Sequence, residues 1–272
     1  MEMQMKTSFF SPRRFGQLLL RDLAGGYRSI LIAMATVAGV VLIVSALTVL
    51  GSGGDASFHL GFFVQTLFFG GFIVTSLAFR EVRQNGGGIF YLTIPASTFE
   101  KLASKLVVNS VGYSLGLLVF YTALASASEG ILRLVFGRGN AFFNPFDPMV
   151  LKAVALYLVT QSVYLLGSIW FRKLAFVKTA LWLGVFIIGV AIVAAGAVRI
   201  IWADHFVLGR LGSDAMRFGK YSMVLPPDIF SAGSPEWNGL LRFKLAAEIL
   251  LYGALAPVCW LASFFKLSEI EV

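Results

Sequence analysis

The chain has 272 residues, of which 58% are hydrophobic and 13% charged, and it carries a net charge of +8. A soluble domain is about 45–50% apolar, so this excess must face something other than water. The positive charge would point to nucleic acid in a soluble protein. In a membrane protein Lys and Arg collect in cytoplasmic loops and hold orientation, so no nucleic-acid partner is expected.

The first residues, MEMQMKTSFFSPRRFG, have neither an apolar core nor a small-residue cleavage pattern, and no signal peptide is expected. Cys259 stands alone in an apolar run, which excludes an internal disulfide. Residues 11–24 read as a helix, with Ser11 as cap and Pro12 at its first position. Phe15, Leu18, Leu19 and Leu23 share one face of it, and Arg13, Arg14, Gln17 and Arg21 the other. Such a helix lies flat on an anionic membrane surface; the competing reading is a solvated helix packed on a neighbour.

Apolar runs long enough to cross a bilayer follow at 30–50, 60–79, 106–127, 150–171, 179–201 and 243–265. The expected fold is therefore an all-α polytopic membrane protein with six transmembrane helices in a single domain, residues 1–272. The turn at 51–55 carries no Lys or Arg. The connection at 128–149 is rich in Phe and Pro and reads as an interfacial segment. The connection from Trp202 to Leu241 is too apolar at its ends to be a free loop, and residues 266–272 read as a short tail. Six crossings put both termini on one side. On that side the N-terminal segment has five Lys and Arg, including Arg13, Arg14 and Arg21, the 80–105 loop four (Arg80, Arg83, Lys101, Lys105), the 172–178 turn three (Arg172, Lys173, Lys178) and the tail one. The three at 128–152 and the six in and flanking the long last connection count little towards orientation, so this side is read as the cytoplasm. No internal repeat is evident.

The stretch from Arg80 to Lys105 interrupts the apolar pattern. Gln84-Asn-Gly-Gly-Gly88 breaks the backbone, and Pro95 precedes Ser97-x-x-Glu100. In that spacing Ser97 accepts from the amide three residues on, while Glu100 reaches back to the Ser97 amide, so a helix starts at Thr98. Break, proline and capped helix together make an elbow. Phe90, Tyr91 and Phe99 on it suit a contact surface better than a solvated turn, although an ordinary connecting loop is the plainer reading.

The run Phe90-Tyr-Leu-Thr-Ile-Pro95-Ala-Ser-Thr-Phe-Glu-Lys101 resembles the elbow between the second and third spans of type-2 ABC transporter permeases. The basic N-terminal helix ending in Arg21-Asp22-Leu23 and the six-span layout are similar to bacterial exporter-like members. The resemblance covers the whole chain in layout but only residues 90–105 in motif. It implies that Arg80, Arg83, Phe90, Tyr91, Pro95, Ser97, Phe99, Glu100 and Lys101 contact a separate ABC ATPase. It implies that Arg13, Arg14, Phe15 and Arg21 lie along the membrane lipid. It further implies a second permease, identical or not, in the bacterial inner membrane, and re-entrant helices within 202–241. Ile94 stands where many relatives have Leu.

No G-x-x-x-x-G-K-[ST] occurs, so the chain has no nucleotide site or cofactor of its own, and ATP-Mg would be bound by the partner. Gly112-Tyr-Ser114-Leu-Gly116 matches a nucleophile elbow by letters, but it lies in an apolar helix, where Gly112 and Gly116 suit close helix packing. His59 and His205 lack a second ligand at helical spacing, so no metal site is expected, and both read as interfacial polar residues. Glu248 should face protein or water and can pair with Lys244, with a role in substrate passage as the alternative. Gln65, Asn109 and Gln161 either bond between helices or line a path. A non-transporting membrane scaffold is the alternative function. An intramembrane enzyme would need clustered acids, histidines or serines, and the spans show isolated ones.

Overall fold

The fold comes from a computed structural model that describes residues 10–83, 93–171, 173–201, 242, 245 and 248–271. Among these residues there is no β-strand, and six helices are long and apolar enough to cross a membrane. The chain divides into two compact units, residues 1–176 with 255–272, and residues 177–254.

In chain order the helices are α1 (Pro12–Gly25), α2 (Tyr27–Ser52), α3 (Phe58–Ser76), a single turn α4 (Arg80–Arg83), α5 (Thr98–Val107), α6 (Tyr113–Phe136), α7 (Pro148–Trp170), α8 (Ala175–Ile201) and α9 (Leu255–Glu271). Ser11 leads into α1 with extended backbone, and Pro12 occupies its first turn, where a missing amide hydrogen costs nothing. Uninterrupted aliphatic sequence carries α2 for 26 residues, until Gly53 adopts a φ of 79° and its amide bonds Val49 O. That left-handed turn is the conformation glycine enters without steric penalty. Ile32, Ile43, Leu47 and Leu50 of α2 are exposed, as expected of a helix whose outer face meets lipid.

A π-helical turn, Val108–Gly112, joins α5 to α6 without a break, giving 39 continuous helical residues. At 1.5 Å per residue that is about 58 Å, roughly twice the hydrocarbon thickness of a bilayer. The third span is thus only the middle of a longer rod. Its far end corrects the expected boundary at 127. Ser126 to Phe136 stay helical, and the connection shrinks to Gly137–Asp147 because Gly137, at φ 66°, is the residue that turns the chain. The last helix also corrects the expectation. It runs to Glu271, so most of the supposed tail is helical: Leu267 is buried, and Lys266 pairs with Glu269 three residues on. The connection 202–241, with His205 and the expected re-entrant helices, lies outside the described residues.

Two apolar clusters hold the first unit. One centres on Phe63, Leu67, Tyr121 and Tyr157 between α3, α6 and α7. The other joins Phe79, Leu102, Leu165, Ile169 and Leu267. Gly71 of α3 faces the Tyr157 ring of α7, and a Cβ at Gly71 would collide with it. Among the described residues, a Cβ at Gly116 would meet nothing within 4 Å, and one at Gly112 only Val107 O of its own helix. At the π turn the Asn109 carbonyl accepts from Tyr157 Oη at 2.8 Å, which ties this turn to α7.

Candidate functional site

The elbow end of the first unit is built around one carboxylate. Ser97 is extended (φ −68°, ψ 154°), and its hydroxyl accepts from the Glu100 amide at 3.1 Å. Glu100 Oε2 accepts in return from the Ser97 amide at 2.9 Å, which completes the capping box read from the spacing. The other oxygen, Oε1, reaches a different helix. It accepts from the Ser11 amide at 2.6 Å and from Arg14 Nη2 at 3.1 Å. The carboxylate is fully enclosed.

Two turns further on, α1 and α5 are joined again. Asp22 accepts from Lys105 Nζ at 2.8 Å through Oδ1 and from Ser104 Oγ at 2.8 Å through Oδ2. Both charged side chains are largely covered, 7% exposed for Asp22 and 12% for Lys105. Arg21 adds an exposed pair to Glu81 of α4 at 2.6 Å. Thus the stripe of α1 that packs is Ser11, Arg14, Leu18 and Asp22, with Leu18 its buried apolar residue. This stripe overlaps the apolar face only at Leu18, and Leu23 of that face stays exposed, as does Leu20 on the other side.

The residues singled out for partner contact divide by exposure. Arg13, Arg80, Pro95 and Phe99 are exposed, Phe99 standing edge-on to Phe10. Phe15 is half-buried against Phe10. Glu100 and Lys101 are buried, and Ser97 is spent on the cap. Arg83 ends α4; Phe90 and Tyr91 lie outside the described residues.

The polar residues of the spans are scattered. Gln65 is exposed on the outer face of α3. Asn109 is buried and donates from Nδ2 to Lys105 O at 2.7 Å, within its own helix. Gln161 is fully buried on α7, with no hydrogen-bond partner for either amide atom among the described residues. Glu248 is exposed, and Lys244 lies outside the described residues.

His59 is enclosed by protein: it is 3% exposed, and its Nε2 stands 2.8 Å from Oε1 of the fully buried Glu129. Ser45 Oγ donates to the same oxygen at 2.8 Å, and Asn140 Nδ2 at 3.0 Å. Reading the chain as separate spans hid this group. Glu129 fell in a supposed connection, and His59 opened a span across a turn from Ser45. The available signal was an ionisable residue at the same end of two successive apolar runs.

None of this forms a nucleophile with its base. Ser114 Oγ donates to Ser110 O at 2.8 Å within its helix, and the Ser45 hydroxyl is bonded to Glu129, not His59. Among the described residues no three His, Cys, Asp or Glu side chains are grouped to hold a metal ion. Comparison with protein-family models, with curated proteins and with solved structures found no match for the chain.

Proposed function

We propose that this chain is the membrane subunit of an ABC transporter, forming a translocation pathway as a dimer in the bacterial inner membrane. A separate ATPase binds and hydrolyses ATP-Mg. Both termini and the elbow face the cytoplasm. The observation that carries this reading is the joint between α1 and α5. The helix that starts immediately after the Ile94-Pro95-Ala-Ser97 segment runs unbroken into a span, and α1 is tied to it through Glu100 and Asp22. A push on the elbow would therefore move a rod about 58 Å long, and α1 with it. The exposed Leu23 on the apolar side of α1 suits a helix lying at an anionic lipid surface, charged side to water. The exposed Arg80, Pro95 and Phe99 would form the contact with the ATPase.

Affinity purification of the tagged chain from its native membrane tests this. A nucleotide-binding subunit with Walker motifs should come with it, and Arg80→Glu with Phe99→Ala should lower its recovery severalfold while the chain stays in the membrane. A complex containing no such subunit would overturn the reading in favour of a membrane scaffold.

A further inference from the structure

At the end of the bundle opposite the elbow, four segments meet on one buried carboxylate. We propose that Glu129 is a latch that locks the ends of α2, α3 and α6 and the 137–147 connection into one body. Oε1 accepts from Ser45 Oγ and Asn140 Nδ2 and lies 2.8 Å from His59 Nε2, and Oε2 accepts from the Asn140 amide at 2.6 Å. Asn140 is the second half of the latch, and all of its polar atoms are engaged. Its Nδ2 also donates to Ser45 Oγ at 2.7 Å, its Oδ1 accepts from the Asp55 amide at 2.9 Å, and its carbonyl accepts from Arg133 Nη2 at 3.1 Å. Behind His59, Nδ1 lies 3.3 Å from the buried Tyr121 hydroxyl.

The position in the chain explains why these contacts act together. Ser45 lies near the end of α2, His59 at the start of α3 and Glu129 near the end of α6. For α3 and α6 these are the ends away from the elbow. Ala141 N also bonds Asp55 O at 3.4 Å, so the two connections touch directly. A cluster with every acceptor filled is rigid, and removing a single member leaves the rest unpaired in a place water does not reach.

Hydrogen exchange read by mass spectrometry on the detergent-solubilised chain tests the latch. In Glu129→Ala the amides of residues 53–57 and 137–143 should exchange roughly ten- to a hundredfold faster, the loss of hydrogen bonds to a charged group, while residues 97–105 stay protected. Asn140→Asp, which turns a donor into an acceptor facing Glu129, should open the same two segments. It serves as the test if the alanine variant does not fold. Combining Asn140→Asp with Glu129→Gln restores one donor and one acceptor across the gap, and should recover protection there. Unchanged exchange in the two connections would overturn the proposal. So would a uniform rise along all the helices, because Glu129 would then act on overall stability, not as a local lock.

Discussion

Glu100 ends two pieces of chain at once, and its two oxygens do so by different means. Oε2 completes the cap of α5, a local contact three residues long. Oε1 receives the Ser11 amide and Arg14, 89 and 86 residues away. The two roles should separate by substitution. Ser97→Ala removes only the cap and should cost about 1 kcal/mol. Glu100→Ala also leaves the enclosed Ser11 and Ser97 amides unpaired and should cost about 1–3 kcal/mol more, with Arg14, partly exposed, adding little. Thermal unfolding of the two variants in detergent gives the order; equal losses would mean that the contact to α1 contributes nothing. The cap was legible because its spacing is fixed by helix geometry. The second role was not, because no local pattern says which distant amide a carboxylate will meet. The same holds for Glu129 and His59, which are 70 residues apart. Asp55 shows the local kind again: the Ser57 amide and hydroxyl hold its carboxyl below the ordinary value, a bond two residues long.

At the scale of elements, the α1–α5 joint depends on a second ion pair, and its worth can be measured without assuming what it does. Asp22 and Lys105 are both largely covered, so removing either one leaves a charge in a poor place. A double-mutant cycle with Asp22→Asn and Lys105→Met should give a coupling energy of about 0.5–3 kcal/mol, read from unfolding in detergent. A coupling near zero would show that α1 is held by Leu18 and Glu100 alone. Helix existence was legible throughout, since runs of about 20 apolar residues leave little else possible in lipid. Helix ends were not. The stretch 128–136 carries Ser128, Glu129 and Arg133 and reads as a polar connection, yet Leu132 and the buried carboxylate keep it on the helical period. Apolarity reports where lipid ends; it does not report where hydrogen bonding along the backbone ends. Gly137 and Gly53, the residues at which φ turns positive, were the better markers.

For the whole molecule, the reading rests on which side the elbow faces. With the candidate spans crossing in alternation, the 53–57 turn and the 137–147 connection would lie on one side, and residues 80–83 and 93–97 on the other. Basic residues are denser at the elbow end, although Arg133 and Arg138 stand at the other. Arg13, Arg14, Arg21, Arg80 and Lys105 gather at the elbow end, whereas residues 51–57 carry no Lys or Arg. Charge bias of this kind orients insertion towards a basic cytoplasmic side. Cysteine scanning turns this into a measurement, because the native Cys259 is buried and can be replaced by Cys259→Ser. Ser57→Cys and Pro95→Cys both place a thiol at an exposed position. A membrane-impermeant maleimide added to intact cells should label the first and spare the second. In inverted vesicles the pattern should reverse. Labelling of Pro95→Cys from outside the cell would place the elbow where no cytoplasmic ATPase can touch it. The α1–α5 joint would then have no motor to transmit, and the latch at Glu129 would face the cytoplasm.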